Sequence, residues 1–255
     1  MTGVRLHIAG PVAELRLDNP AKLNCFTVEM LGQLASHLEV VEGRPEVRAV
    51  IITGEGEKAF CSGADINAWG DLGPAEFARN WVRGGHRIFD RLARLAKPTI
   101  AALNGHAFGG GLELAAACDI RVITPKATIA LPEAGVGIVP GWSGSQRLAR
   151  LIPEAMVKEM ALFGRRIGAD RLISCGFVAE IAEDVRSAAQ EIAEKAATLS
   201  PRATEITKAM IHAGQGEDSA ALIEALGSAA IAASADRQEG VAAFQEKRKA
   251  EFPGT

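Results

Sequence analysis

Two short apolar runs, Val47–Ile52 and Thr99–Leu103, stand about fifty residues apart and carry the same local grammar. Each is introduced by a basic residue and a proline, Arg44-Pro45 in the first case and Lys97-Pro98 in the second, and each runs into a glycine loop bearing polar residues. Apolar runs of this length with such punctuation read as buried strands. A weak repeat of strand, loop and helix points to an α/β core.

The flanking segments agree. VRLHIAG and VAELRLD alternate, or nearly so, around Gly10-Pro11, which predicts an opening hairpin of half-buried strands. From Thr27 onward Val28, Leu31, Leu34, Leu38 and Val41 keep helical spacing, Glu29 favours the amino end, and Gly43 stops the run. After about residue 143 the texture turns to alanine-rich helical segments: 153–163, 185–199, 201–212, 219–233 and 236–251. Pro153 and Pro201 suit first helical turns, with Gly164, Gly214 and Gly240 as punctuation.

Composition narrows the partners. The 255 residues are 48% hydrophobic, ample for a core, and the net charge of −3 is spread without a basic stripe. Aromatics make up only 5%, with no tyrosine, so there are few platforms for stacking bases, and nucleic acid is not expected as a partner. Cys25, Cys61, Cys118 and Cys175 form no C-x-x-C pair and read as reduced core thiols; His7, His37, His86, His106 and His212 are isolated, so no metal site is expected. MTGVRLHIAG lacks the blocks of a signal peptide and no apolar run nears the ~20 residues of a membrane span, so a cytoplasmic protein without a membrane partner is expected.

Three segments could carry chemistry. In HAFGGGLELAAA, Glu113 falls in the first turn of a helix starting near Gly109, where backbone N–H groups lack intrahelical partners and glycine lets a ligand approach them. An acid there also simply complements the helix dipole, and both readings stand at this point. AFCSGADI, after the strand ending at Thr53, offers small residues with backbone donors, or else a tight turn capped by Asp65. LPEAGVGIVPG places a second carboxylate, Glu133, twenty positions after Glu113 among apolar residues and glycines. Competing motifs fail on inspection: the chain has no Gly-Lys pair and hence no P-loop, GGGLEL is not G-x-G-x-x-G, and Gly141-Trp142-Ser143-Gly144-Ser145 misses G-x-S-x-G at its fifth position.

Taken together, DNPAKLNCF, AFCSGADI, KPTIAALNGHAFGGGLELAAACDI, LPEAGVGIVPGWSGSQRL and AFQEKRKAEF resemble the crotonase, or enoyl-CoA hydratase/isomerase, family over essentially the whole chain. The resemblance implies a crotonase-like (ClpP/crotonase) α/β fold of repeated ββα turns. A core over 1–195 would carry the active site, and a helical region over 196–255 would make a homotrimer or a hexamer built as a dimer of trimers. It implies an acyl-CoA substrate and no separate cofactor, coenzyme A being part of the substrate. By motif position, the Ala64 and Gly110 amides would form the oxyanion hole. Glu113 and Glu133 would be the catalytic acids of a hydratase, Glu113 activating water and Glu133 delivering a proton to C2. Lys22, Leu23, Asn24, Ser62, Asp65 and Ile66 would contact CoA, with Phe244 and Lys247 completing its entrance, in some relatives from an adjoining subunit.

Departures from the family pattern lie at Asn24-Cys25, at His106 and at Trp142-Ser143, which replaces a small Ala-Gly pair common in hydratases. Trp142 is expected to narrow the acyl pocket against long straight chains, and the segment 67–74 with Trp69 is expected to border that pocket. Retention of both acids favours enoyl-CoA hydration, or the reverse dehydration, over double-bond isomerisation on the same fold and over a non-catalytic acyl-CoA-binding oligomer.

Overall fold

A computed structural model describes residues 2–255. Its hairpin follows the alternation: β1 (Gly3–Ala9) and β2 (Val12–Asp18) pair antiparallel, Ala9 opposite Val12, with Gly10 at φ 55° in the turn. The Thr27 side chain accepts the Met30 amide and starts α1 (Val28–Glu42), which ends at Gly43. Met30, Leu31, Leu34, Leu38 and Val41 form its buried face, whereas Val28 in the first turn is exposed.

Beyond α1 the chain repeats a strand pair and a helix. β3 (Ala49–Gly54) and β4 (Ala59–Cys61) precede a helical stretch made of α2 (Pro74–Glu76), a π-helical segment (Phe77–Val82) and α3 (Arg83–Ala93). β5 (Thr99–Leu103) and β6 (His106–Phe108) precede α4 (Gly110–Ala117); β7 (Ile120–Ile123) and β8 (Thr128–Ala130) follow. Then come α5 (Gly144–Leu151), α6 (Glu154–Phe163), β9 (Ile167–Gly168), α7 (Ala169–Ser174), β10 (Glu180–Ile181) and α8 (Val185–Ala197).

Each repeat gives its first strand to one sheet and its second to another. The larger sheet has the order β1-β2-β3-β5-β7-β10, parallel from β2 onward, and the smaller has the order β4-β6-β8-β9, parallel from β4 to β8. Strand alternation divides the core. Val50, Ile52, Ala101, Leu103 and Ile123 point into the main cluster with α1, α3 and α4, while Ala49, Ile51, Ile100, Ala102 and Val122 meet Val185, Ala189 and Ala193 of α8 on the opposite face. The apolar runs without alternation in β3 and β5 follow from this: both faces are covered.

The fold class agrees with the expectation of an α/β chain with stacked strand-pair repeats and carboxy-terminal helices. The chain divides into two compact units between Thr204 and Glu205. The unit from Glu205 holds the end of α9 (Pro201–Gly214), then α10 (Ser219–Ala232) and α11 (Ala235–Glu246). α11 stops five residues short of the predicted helix end. Lys247 turns left-handed at φ 57°, and Arg248 folds back to pair with Glu239 at 2.6 Å. All four cysteines are free thiols, and among the described residues no helix is long and apolar enough to cross a membrane.

One buried cation secures the helix that carries Glu113. The Arg121 guanidinium donates to the carbonyls of Ala115 and Cys118 at the end of α4, to Asp119 at 3.2 Å and to Phe177 at 2.5 Å, and lies over the Phe177 ring. It therefore satisfies the acceptors that a helix end leaves open and complements the helix dipole. Arg121→Met is expected to cost about 3 kcal/mol, because several buried carbonyls lose their donors at once. Urea denaturation would show this as a lower midpoint at unchanged slope.

Candidate active site

Neighbouring parallel strands lie ~4.8 Å apart, so chain segments leaving the same ends of β4, β6 and β8 emerge side by side. These are the three segments singled out in the sequence. After β4, Phe26 N–H donates to Gly63 O and Asp65 N–H to Phe26 O, both at 2.8 Å. That pairing passes over the Ala64 amide and leaves it unused. After β6, Gly109 adopts φ 50°, ψ −124°, a conformation open to glycine, and Gly110 opens α4 with an amide that has no intrahelical acceptor.

The glycine triplet is thus only partly a matter of backbone freedom. A Cβ on Gly110 would stand 2.5 Å from the Trp142 ring, and one on Gly111 would stand 2.1 Å from the Cys61 carbonyl oxygen. α4 consequently lies flush against β4, which brings the Gly110 amide beside Gly63 and the start of the Ala64 turn: a Gly63 Cβ would lie 3.4 Å from the Gly110 nitrogen.

Glu113 is 3% exposed on the first turn of α4. Its Oε1 accepts the amides of Trp142 at 2.8 Å and Gly144 at 2.7 Å, so its position is set from α5's approach as well as from α4. Burial pushes its carboxyl above the ordinary range, while these two donors and the charge of Arg147 favour the anion. Glu133 starts a 3₁₀ turn (Glu133–Val136) directly after β8 and is 7% exposed. Its Oε2 is buried with no hydrogen-bond partner among the described residues, and its Oε1 faces Gly109, where an added Cβ would lie at 2.8 Å. Burial, reinforced by the charge of Glu113, pushes its carboxyl to about 7.

Both acids, Ala64 and Gly110 line one cavity of about 180 Å³. Its walls come from Trp69, Phe77, Trp81 and Trp142 together with Val136, Ile138 and Val139. Phe77 and Trp81 were not anticipated as lining residues, although their i, i+4 spacing on a helix is a readable sign of a shared face. Trp142 is only 3% exposed. It packs on Phe26, Trp81 and Phe89 with ring centroids 6.0, 5.3 and 5.1 Å away, and its indole N–H donates to Trp81 O. The Trp69 ring packs tilted against Phe77 with centroids 5.5 Å apart, which ties the bordering segment 67–74 to the same wall.

The residues expected around CoA separate. Ser62 and Ile66 line the cavity of the two acids. Lys22 pairs with Asp65 at 2.7 Å at the surface, and Asp65 also caps the turn Ile66–Ala68. Leu23 borders a larger cleft of about 720 Å³ with Lys58, His106, Lys126 and Arg186, which contains neither acid. Asn24 is 1% exposed, and its side chain is spent on the scaffold: the amide nitrogen donates to Glu55 O and Ala59 O, and the oxygen accepts from Asn19 N. Phe244 and Lys247 lie exposed in the unit from Glu205. Among the described residues no cluster of His, Cys, Asp and Glu could hold a metal ion.

The sequence model of the family described as Enoyl-CoA hydratase/isomerase matches residues 7–255. The chain belongs to the enoyl-CoA hydratase/isomerase family. Similar curated proteins include the short-chain-enoyl-CoA hydratase of Clostridium acetobutylicum, 36% identical over 98% of this chain and 97% of that protein. The crotonyl-CoA hydratase of Syntrophomonas wolfei is 36% identical over 94% of each. Among solved structures, an enoyl-CoA hydratase from Bacillus anthracis superposes with a TM-score of 0.80 at 33% identity, covering 99% of both chains, and Pseudomonas aeruginosa DspI with 0.82 at 32%, covering 98% of this chain and 96% of that one.

In this family member the raised Glu133 carboxyl has a cost that can be read directly. A carboxyl whose folded pKa stands near 7 against an ordinary 4.5 favours the folded state while protonated, and that stability is lost as pH rises from 4.5 through 7. Glu133→Gln removes the penalty. Its melting temperature is expected to exceed the parent's by more at pH 8 than at pH 5, measured by calorimetry at the two pH values.

Proposed function

We propose that this enzyme adds water across the 2,3 double bond of short-chain enoyl-CoA thioesters, or runs the reverse dehydration. The observation that carries the reading is the meeting of two buried acids of unequal character on one cavity: Glu113 Oε1 accepts two amides, and Glu133 Oε2 has no partner among the described residues. Glu113 binds the attacking water and takes one of its protons. The water oxygen bonds to C3, the electron pair of the double bond moves toward the thioester, and negative charge collects on the carbonyl oxygen. The Ala64 and Gly110 amides, ~3 Å from that oxygen, stabilise it; one donor of this kind is worth about 10² to 10³ in rate. Glu133, with a carboxyl near 7, is protonated in about half of the molecules at neutral pH, and that form gives its proton to C2. Cavity water then returns a proton from Glu113 to Glu133, so each cycle consumes one water and leaves the acids as they began.

The acyl end is read by the aromatic wall. Trp142, Trp81, Phe77 and Trp69 close a cavity of about 180 Å³ around the reacting carbons, which suits a short acyl chain. The names of two relatives, short-chain-enoyl-CoA hydratase and crotonyl-CoA hydratase, support the same substrate class. Ser62 and Ile66 hold the thioester side, with Lys22 and Asp65 at the surface for the nucleotide. The resemblance to the family adds Phe244 and Lys247 to the CoA contacts and a trimer or hexamer as the assembly. The exposed Met210, Ile211, Ile223, Ile231 and Phe244 of the unit from Glu205 support association with further copies.

Crotonyl-CoA is expected to be consumed with formation of 3-hydroxybutyryl-CoA, while a 3-enoyl thioester remains unchanged; product analysis showing only a moved double bond would favour isomerisation. Glu113→Gln and Glu133→Gln are each expected to lower kcat by about 10²- to 10⁴-fold. An acyl-CoA-binding oligomer without catalysis would show no turnover to lose. For chain length, kcat/KM is expected to fall at least about tenfold between crotonyl-CoA and a C10 enoyl-CoA, and Trp142→Ala to narrow that gap.

A further inference from the structure

The two amides that grip Glu113 belong to Trp142 and Gly144, so the residue between them controls their aim. That residue, Ser143, stands at φ 75°, ψ 15°, a left-handed conformation that a side chain with a Cβ disfavours. Its neighbours are held by packing. Trp142 sits against Gly85 of α3, where an added Cβ would lie 2.2 Å from its indole nitrogen, and Gly144 sits against Glu113, where one would lie 2.6 Å from Cγ.

Ser143 itself is held by a hydrogen bond. Its Oγ lies 2.8 Å from Nδ1 of half-buried His86 on α3. Four residues further along both helices, Arg147 of α5 reaches Asp90 of α3 at 3.0 Å. The pairs form two rungs between α3 and α5, with the His86 rung at the end nearest the catalytic cavity. α3 also continues directly from the π-helical segment whose Phe77, Trp81 and Val82 wall the acyl site. Ser143 and His86 do not line that cavity, so neither is placed to attack a thioester.

We propose that His86 is a positioning residue for Glu113: by holding Ser143 in its left-handed turn it keeps the Trp142 and Gly144 amides aimed at Glu113 Oε1. The kinetic form of this inference rests on the role given to Glu113 above; its structural form does not. Without the rung, Ser143 relaxes toward a right-handed or extended conformation and one or both amides turn away. Glycine at 143 would keep the left-handed turn unaided.

The test uses the full-length enzyme, crotonyl-CoA and four variants. His86→Ala and Ser143→Ala are each expected to lower kcat about tenfold with KM within about twofold, because the base is misplaced while the thioester contacts remain. Combining them is expected to cost no more than either alone, since both break one bond. The decisive variant joins His86→Ala with Ser143→Gly, which is expected to return kcat to within about threefold of the parent. A histidine that served only to pack α3 would not be rescued by glycine on another helix. Crystal structures of His86→Ala and of the rescued variant read the geometry independently of turnover. Should the parent not hydrate crotonyl-CoA, the hydratase reading fails while these structures still decide the positioning role. The proposal is overturned if His86→Ala keeps kcat within twofold of the parent, if glycine at 143 fails to restore it, or if Ser143 stays left-handed with both amides on Glu113 in the His86→Ala structure. If His86→Ala does not fold, Ser143→Ala removes the same bond and carries the same kinetic and crystallographic readouts.

Discussion

The parallel pairing of β4, β6 and β8 is the constraint on which the site depends. The acids stand twenty positions apart in the chain and the Ala64 turn lies nearly fifty before Glu113, yet hydrogen bonding between these strands delivers all three segments to one edge. Strands as short as three residues hold little by themselves. Their register is enforced from outside, by α4 lying against β4 with no room for a side chain at Gly111, and by Arg121 gripping the far end of the same helix.

Within that frame, the two glutamates show how one residue type acquires two characters. Burial raises both, but the amides of Trp142 and Gly144 answer Glu113, whereas the buried Oε2 of Glu133 meets no donor among the described residues. A carboxyl with one oxygen unanswered in such surroundings keeps its proton to higher pH than an ordinary glutamate does. The asymmetry resides chiefly in backbone donors, with the charge of Arg147 favouring the Glu113 anion and the charge of Glu113 adding to the rise at Glu133.

Much of this was legible in the residues. Periodicity and caps located the hairpin and α1, since Thr27, Glu29 and Gly43 act locally. The repeated apolar runs located β3 and β5, and the family motifs pointed to Ala64, Gly110, Glu113 and Glu133, which converge on one cavity. What failed to show were effects between distant segments. The scaffold role of the Asn24 side chain did not show, because its acceptors, the carbonyls of Glu55 and Ala59, lie 31 and 35 residues away. The end of α11 was misplaced because Arg248 prefers Glu239 nine residues back to another helical turn. His86, isolated in the sequence, meets Ser143 only after α3 and α5 have packed.

The aromatic wall and the chemical end of the cavity draw on different parts of the chain. Trp69, Phe77 and Trp81 come from the excursion between β4 and β5, and Val136, Ile138 and Val139 from the stretch before α5, while the amide donors sit where strands meet helix. Exchange of these wall residues can therefore retune which acyl groups are accepted with little effect on bond-making. Trp142 is the exception: wedged between Gly85 and Gly110, it belongs to both regions, and a lineage that altered it would have to renegotiate selectivity and rate together.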